Sequence, residues 1–309
     1  MHCPLVSPPT DTGRVDLARA HQLVTLAWLS AQLRQRLADT PSPLTRPWRL
    51  LEVGYGQHGD FLAAHIPTAQ YLDTNSLEDG PFWNKVADAA LLALLLGLGI
   101  KHDTTVVVYG RSSAAAARVA HLLLYAGVDD GRLFDSGKDA WRRAGGQCEA
   151  GSGQVPTAPA TFGRRFPACP RLLIDRHKAA ARLVQPDGAL VSIRTWDEFT
   201  GQTSGYPYIA AAGDVPGARW GRAGDGRDVN SMSDFHYPDG TMRPEREIAR
   251  FWQQSGITPD RNIAFYCGTG WRASLAFFYA WLMGWERISV YDGGWFEWSA
   301  FAAPTVDQG

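Results

Sequence analysis

Short β-rich runs alternate with longer helical runs along most of the chain. In the first half the order is LLEV, VADAALLALLLGLG, TTVVVY, AAAARVAHLLLYAG and RLFD. The second half repeats this order with ALVSI, EREIARFWQQSG, NIAFY, RASLAFFYAWLMG and ISVYD. Such alternation is typical of parallel sheets that are covered by helices on both faces. The pattern therefore predicts an α/β fold with one such sheet in each half.

The two halves match each other at three ordered places, which indicates a duplicated domain. The matching pairs are residues 65–69 (HIPTA) with 214–218 (DVPGA), residues 105–109 (TVVVY) with 262–266 (NIAFY), and residues 134–137 (FDSG) with 291–294 (YDGG). The third match is the most specific, because Trp141 and Trp298 follow it at the same spacing.

The repeats and the composition of the intervening segments predict four regions. Residues 1–48 form an N-terminal helical extension, because apolar residues between positions 14 and 38 recur at near-helical spacing. Residues 49–148 form the first domain. Residues 149–170 are rich in Gly, Pro, Ser and Ala and form a linker. Residues 171–309 form the second domain.

Composition and charge narrow the classes of partner. The 309 residues include 30 Lys and Arg against 31 Asp and Glu, and no long basic run is available to bind a phosphate backbone. We therefore expect no nucleic-acid partner. The longest apolar run, residues 89–100, is too short for a membrane span, which needs roughly 20 residues. With no secretory signal visible, we expect a cytoplasmic protein without a membrane partner.

The four cysteines, Cys3, Cys148, Cys169 and Cys267, lie far apart and form no CxxC pair. This spacing argues against a disulfide framework and against a zinc site. No HxH or HxxxH pair occurs either, so we expect no metal. Each thiol is therefore considered alone.

Cys267 is the first residue after the NIAFY strand, where ligands of α/β sheets gather. Gly268 and Gly270 allow a loop whose N–H groups, from residues 268 to 273, turn towards the sulfur. A helix predicted to begin near Ala273 adds partial positive charge, and Arg272 is expected to add a full one. The arrangement predicts a nucleophilic thiolate that can also be held as a persulfide. A buried, inert cysteine is the alternative that spacing alone leaves open.

From residue 49 to 303 the chain resembles the rhodanese family of sulfurtransferases. The motifs that carry the resemblance are CGTGWR at residues 267–272, AHIPTA in the first half, GDVPGA in the second, and YDGGWFEW at residues 291–298. The resemblance implies that Cys267 bears the persulfide and that loop residues Gly268, Thr269, Gly270, Trp271, Arg272 and Ala273 bind the substrate. No further cofactor is implied. Gly110 stands at the position equivalent to Cys267, so the first domain resembles the silent half of tandem rhodaneses.

The loop also bears on the reaction and on the sulfur donor. Related phosphatases place five residues between Cys and Arg, whereas four separate Cys267 from Arg272, so phosphatase activity is disfavoured. Thiosulfate-using members tend to carry basic residues inside the loop, and mercaptopyruvate-using members carry CGSGVT. This chain matches neither loop fully, which leaves thiosulfate, mercaptopyruvate and polysulfide open as donors.

A narrower resemblance covers residues 205–298, including YPYIAAAGDVPGARW and YCGTGWRAS. These stretches are similar to the rhodanese-type ergothioneine synthases of anaerobic bacteria, which transfer polysulfide sulfur to the imidazole carbon of hercynine. The resemblance implies that Tyr208 donates a proton or hydrogen bond to the imidazole and that Thr269 lines the pocket. Stacking of Tyr206 and Tyr208 on the surface is the alternative role for these tyrosines.

We therefore expect an enzyme that moves sulfane sulfur through a Cys267 persulfide, from a small-molecule donor to a small-molecule or nucleophilic acceptor. Ergothioneine synthesis is one alternative. A sulfur-carrier or binding module, which delivers its persulfide to a protein acceptor without turnover, is the other. For Arg194 and Glu198 we expect an ion pair that fixes loops, and for His236 either a place in the cleft or a role in a turn.

Overall fold

The computed structural model describes residues 13–38, 46–56, 58–153 and 156–301. It confirms two α/β domains, each with a parallel five-stranded sheet and flanking helices. The first domain contains β1 (Leu23–Val24), α1 (Leu26–Leu37), β2 (Trp48–Gly54), α2 (Gly59–Ala63), β3 (Gln70–Asp73), β4 (Glu78–Asp79), β5 (Asn84–Lys85), α3 (Asp88–Gly97), β6 (Thr105–Gly110), α4 (Ser113–Ala126), β7 (Asp130–Phe134) and α5 (Gly137–Arg143). The second contains β8 (Leu173–Ile174), α6 (Arg176–Leu183), β9 (Gly188–Ser192), α7 (Trp196–Phe199), β10 (Arg219–Trp220), α8 (Glu245–Gln254), β11 (Asn262–Tyr266), α9 (Trp271–Leu282), β12 (Ile288–Tyr291) and α10 (Gly294–Phe301).

The two sheets have the same strand order, as a duplication requires. The first runs β1-β7-β6-β2-β3 and the second runs β8-β12-β11-β9-β10, with every pair parallel. Strand β6 in the first sheet and β11 in the second are central. Their apolar residues are buried on both faces, which explains why these strands read as unbroken apolar runs.

The N-terminal helix belongs to the first domain, which differs from its expected place in an extension ending at residue 48. Strand β1 pairs with β7 and so forms the edge of the first sheet. Leu29 and Leu33 of α1 are buried in the core of that sheet. The equivalent elements of the second domain, β8 and α6, follow the linker in the same way. The helical prediction holds for Leu26–Leu37, while Leu23–Val24 form a strand, and tertiary packing makes both part of the duplicated unit.

Helices α4 and α9 pack against each other between the two sheets. Their buried faces, with residues from both sheets, belong to one continuous hydrophobic cluster. The helices that follow the two central strands therefore meet at the domain interface. Among the described helices, none combines the length and the apolar composition that crossing a membrane requires.

The cysteines differ from expectation at one position. Cys148 and Cys267 carry free thiols, whereas Cys169 is disulfide-bonded. The absence of a CxxC pair did not predict this bond, because a disulfide depends on closeness in space and not on spacing in sequence. Cys3 lies outside the described residues.

Candidate active site

Cys267 lies at the carboxyl end of β11, between the neighbouring strands β9 and β12. Its side chain is buried, with 1% of the residue exposed. The backbone around it is held by the first turn of α10, since the N–H of Trp295 donates to the Cys267 carbonyl at 2.7 Å and that of Phe296 to the Gly268 carbonyl at 3.1 Å. The YDGG motif therefore secures the cysteine loop, which explains why both motifs occur together.

Glycine is required at two positions of the loop for different physical reasons. Gly270 has a φ of 104°, a conformation that other residues rarely adopt, and its N–H donates to the Cys267 sulfur at 3.2 Å. At Gly268, an added Cβ would lie 2.2 Å from the ring of Tyr206. A side chain at either position would therefore displace the loop. Helix α9 begins at Trp271, two residues before the expected start near Ala273.

Arg272 is bound by a carboxylate, while its charge also interacts with Cys267 as the sequence predicts. Its Nη1 and Nη2 donate to the two oxygens of Glu198, both at 2.8 Å, and Nη2 also donates to the Tyr206 hydroxyl at 2.8 Å. Burial alone would raise the pKa of Glu198, but the hydrogen bonds and charge of Arg272 outweigh it and lower that pKa to about 2. Arg272 therefore anchors the loop, and its charge is largely compensated.

Glu198 also joins the loop to the segment that follows β9. Arg194 Nε lies 3.4 Å from Glu198 Oε1, which confirms the expected ion pair. A capping box between Thr195 and Glu198 starts the short helix α7. These contacts make Glu198 the common partner of two buried arginines.

The two tyrosines have different environments. Tyr206 is buried against Gly268, whereas 49% of Tyr208 is exposed. Tyr208 lies next to Thr269, and its ring packs against Tyr206 and Phe296 at centroid distances of 5.5 and 5.6 Å. Burial raises the pKa of Tyr208, and a thiolate at Cys267 raises it further. Tyr208 and Thr269 therefore stand beside the sulfur, and Tyr206 is part of the wall behind the loop.

Groups of the first domain complete the site from the other side. The indole Nε1 of Trp271 donates to both oxygens of Glu78, at 2.9 and 3.0 Å. Arg118 of α4 donates to Glu78 at 3.2 Å and to Asp292 at 2.5 Å. Burial raises the pKa of Glu78 to about 7, although the charge of Arg118 opposes this. Trp271 thus connects the loop to the first domain, and Ala273 is fully buried beneath it.

Gly110 occupies the place of the cysteine in the first domain. An added Cβ there would lie 2.5 Å from the carbonyl oxygen of Val53. The position therefore lacks a nucleophile and also lacks room for one.

His236 lies in a polar contact away from the loop residues. Its Nε2 is 2.5 Å from the hydroxyl of Tyr279 on α9. Burial, with the charge of Arg243, lowers the pKa of His236 to about 4, so the imidazole is neutral near pH 7. In the described part of the chain, no group of three or more His, Cys, Asp or Glu side chains is placed to hold a metal ion. The expectation of no metal stays a prediction.

Glu78, Arg118 and Asp292 contact the site but were not identified from the sequence. Asp292 lies inside the YDGG motif, so its position was available as a signal. Glu78 and Arg118 belong to the domain without a cysteine, where no motif singles them out.

The fold and the motifs together define the class of protein. Residues 31–144 and 175–301 each match the rhodanese-like domain, and the chain belongs to the rhodanese family.

Among individual proteins, one relative shares about half of the aligned residues with this chain. The chain is 49% identical over 284 residues to thiosulfate sulfurtransferase YnjE of Escherichia coli, covering 92% of this chain and 64% of that protein. The crystal structure of YnjE superposes with a TM-score of 0.86 at 47% identity, over 92% of this chain and 67% of that one. The chain thus spans about two thirds of the length of this relative.

Two further relatives are named for other roles. The anaerobic ergothioneine biosynthesis enzyme from Chlorobium limicola, solved with trimethyl histidine, superposes with a TM-score of 0.85 at 36% identity, over 92% of this chain and 69% of that one. The sulfur carrier protein TtuD of Thermus thermophilus is 29% identical over 260 residues, covering 79% of this chain and 86% of that protein.

Proposed function

We propose that this protein is a sulfurtransferase whose Cys267 carries sulfane sulfur as a persulfide. The observation that carries the proposal is the Cys267 sulfur at the end of a central strand, with the Gly270 N–H donating to it at 3.2 Å. The relative named thiosulfate sulfurtransferase supports the same reaction.

The first half-reaction follows from this geometry. The Cys267 thiolate attacks the outer sulfur of a donor such as thiosulfate, the new S–S bond forms, and sulfite leaves with the electron pair of the broken bond. The terminal sulfur of the persulfide then carries the negative charge. Backbone N–H groups at the start of α9 stabilise that charge, because a helix N-terminus offers unpaired donors and a positive dipole end.

In the second half-reaction a nucleophilic acceptor removes the sulfur. Cyanide or a thiolate attacks the terminal sulfur, the persulfide S–S bond breaks, and its electron pair returns to Cys267 as thiolate. Thiosulfate, mercaptopyruvate and polysulfide are the proposed donor class, and none of the residues around Cys267 described above selects one of them. The turnover we propose is of the ping-pong type.

The test is the intact mass of the protein after incubation with polysulfide and removal of excess donor. We expect the mass of one sulfur atom on the wild type and on the Cys148→Ser variant, since Cys148 is a free thiol outside the site. The Cys267→Ser variant should gain none. Loading of the Cys267→Ser variant would refute the proposal. Cyanide should then remove the sulfur as thiocyanate, whereas loading without release would favour the carrier role.

A second candidate, ergothioneine synthesis, is favoured by the 36% identity to the ergothioneine biosynthesis enzyme and by the place of Tyr208 near the charge of Cys267. In that reaction the persulfide anion attacks the imidazole carbon of hercynine while the Tyr208 hydroxyl protonates a ring nitrogen. The carbon then loses its proton, and the S–S bond breaks with its electron pair on Cys267. Adding hercynine to the loaded protein separates the candidates. Transfer of sulfur to hercynine, lost in Tyr208→Phe, would support this one.

A further inference from the structure

Arg118 extends from α4 of the first domain into the interface with the second. Its side chain is fully buried. Nε donates to Glu78 at 3.2 Å, and Nη2 donates to Asp292 at 2.5 Å. Asp292 also accepts the backbone N–H of Lys85 at 2.8 Å, so the first domain binds this carboxylate twice. Arg118 is therefore held in one orientation by partners from both domains.

The third side of the same guanidinium faces the cysteine loop. A methyl group on Gly270 would lie 3.3 Å from Arg118 Nη1, and Gly270 is the residue whose N–H contacts the sulfur. Nη1 is buried and has no hydrogen-bond partner among the described residues. Leaving a buried donor unpaired is unfavourable, and more so for a charged group. Because this donor is oriented towards the loop and has no partner, we expect it to interact with negative charge on the loop.

Both arginines beside Cys267 are paired with carboxylates, and each keeps one buried nitrogen without a hydrogen-bond partner among the described residues. Arg272 is bound to Glu198, and Tyr206 accepts from Arg272. Tyr208, Glu78 and Asp292 are further titratable groups near the loop. Burial raises the pKa of Glu78 to about 7, so near neutral pH its carboxyl compensates Arg118 only in part. The charges of Arg118 and Arg272 both interact with Cys267, and Arg118 is the one that comes from the first domain.

We propose that Arg118, supplied by the domain that lacks the cysteine, is a positioning residue that stabilises the negative charge on Cys267 and on its persulfide through the Gly270 end of the loop. The part that concerns the persulfide rests on the proposed function. The part that concerns the thiolate does not, because a thiolate can be measured without any sulfur donor. The first domain then contributes charge to the reaction besides its structural support.

The test is the pH dependence of the alkylation rate of Cys267 by iodoacetamide, in a Cys148→Ser background that removes the other free thiol. Replacing Arg118 with Met removes the charge, and Arg118→Gln removes it while keeping an amide that can donate to Asp292. In both variants the midpoint of alkylation should move up by about one pH unit or more. Arg118→Lys, which keeps the charge, should restore most of the wild-type midpoint. Below the wild-type midpoint, sulfur loading should fall about tenfold for each pH unit by which the midpoint has risen.

Arg132→Met is the matched control, because Arg132 is a buried arginine of the same domain that pairs with Asp130 instead of the loop. It should leave the midpoint unchanged. Circular dichroism identifies which variants fold. If the Arg118→Met variant does not fold, the midpoint of the Arg118→Gln variant provides the test. An unchanged midpoint in a folded neutral variant would overturn the proposal. A raised midpoint in a protein that takes up no sulfur would keep it and reject the sulfurtransferase function instead.

Discussion

The two loops that follow the central strands show what separates the reactive domain from the silent one. After β6, residues 111–112 lead into α4, and the Ser112 side chain accepts the N–H of Ala115 at 3.4 Å. After β11, residues 267–270 lead into α9, and no side chain caps that helix. The silent helix therefore satisfies its own N-terminus, whereas the reactive one leaves donors for a ligand.

The two domains also differ in whether a buried carboxylate binds the segment that contains the loop. In the silent domain Glu52 accepts from the Tyr109 hydroxyl at 2.7 Å and from Lys138 at 2.5 Å, without a contact to the loop. In the reactive domain Glu198 binds Arg272, the second residue of the helix that follows the loop. The buried Lys138–Glu52 pair thus stabilises the silent domain, whereas the buried Arg272–Glu198 pair orients the cysteine loop.

Moving the cysteine between domains is the strongest test of this comparison. The double variant Gly110→Cys, Cys267→Ser should take up no sulfur, because the transplanted thiol lacks both space and N–H donors. The Cβ would lie 2.5 Å from the Val53 carbonyl, and relieving such overpacking costs about 1–3 kcal/mol. Intact mass after polysulfide loading and thermal unfolding would measure the two effects. Sulfur on the double variant would show that a cysteine alone is sufficient.

Breaking the loop anchor should have the next largest effect. Arg272→Met leaves the Glu198 carboxylate buried without its main partner, which should lower the free energy of unfolding at pH 7 by about 3–5 kcal/mol and reduce sulfur loading. Urea unfolding and the loading rate of the folded fraction would be measured together. Because the pKa of Glu198 is lowered to about 2, this stabilisation should be present above about pH 4.5 and be lost as the pH falls towards 2.

Lys138→Met is the control from the silent domain, since it breaks a buried ion pair of that domain, the one between Lys138 and Glu52. It should also destabilise the protein, but the folded fraction should load sulfur at the wild-type rate. An equal loss of sulfur loading in Arg272→Met and Lys138→Met would contradict the prediction that only the Glu198 pair orients the loop.

The smallest predicted effect concerns Glu78, which joins the two domains. The folded state raises its pKa from 4.5 to about 7, so the unfolded chain releases this proton first as the pH rises. Its contribution to stability is therefore full below pH 4.5 and falls between about pH 4.5 and 7. Glu78→Gln should flatten that part of the pH profile, by on the order of 1–3 kcal/mol across the window. Parallel urea-unfolding profiles for variant and wild type would reject this assignment.

Much of the fold was predictable because the relevant information is local. Apolar strands such as residues 105–109 and 262–266 must be buried on both faces, and their alternation with helices leaves few arrangements other than parallel sheets. Cys267 was identified for the same reason, since its place directly after a strand and before Gly268 and Gly270 is visible in a few residues. The N-terminal helix was predicted as a helix, but its membership of the first domain depends on the pairing of β1 with β7.

The charges of the site were less predictable. Arg272 was expected to act on the sulfur, and its charge does interact with Cys267, but its hydrogen-bond partner Glu198, 74 residues earlier in the chain, was not predicted. The disulfide of Cys169 was likewise not expected. Both results depend on which groups meet in space, and the net effect of a buried charge is decided by its partners rather than by its sequence neighbours.

The sequence by itself determined the duplicated α/β fold, the rhodanese family and the cysteine on which the proposed chemistry rests, because each depends on short segments with a strong physical preference. Only the tertiary structure decided which groups surround that cysteine. Packing of α4 against α9 brings Arg118 within hydrogen-bond distance of Asp292, across 174 positions of the chain. The physical reason is that burial strengthens charge interactions, while no local pattern records which distant side chains will share the same buried site.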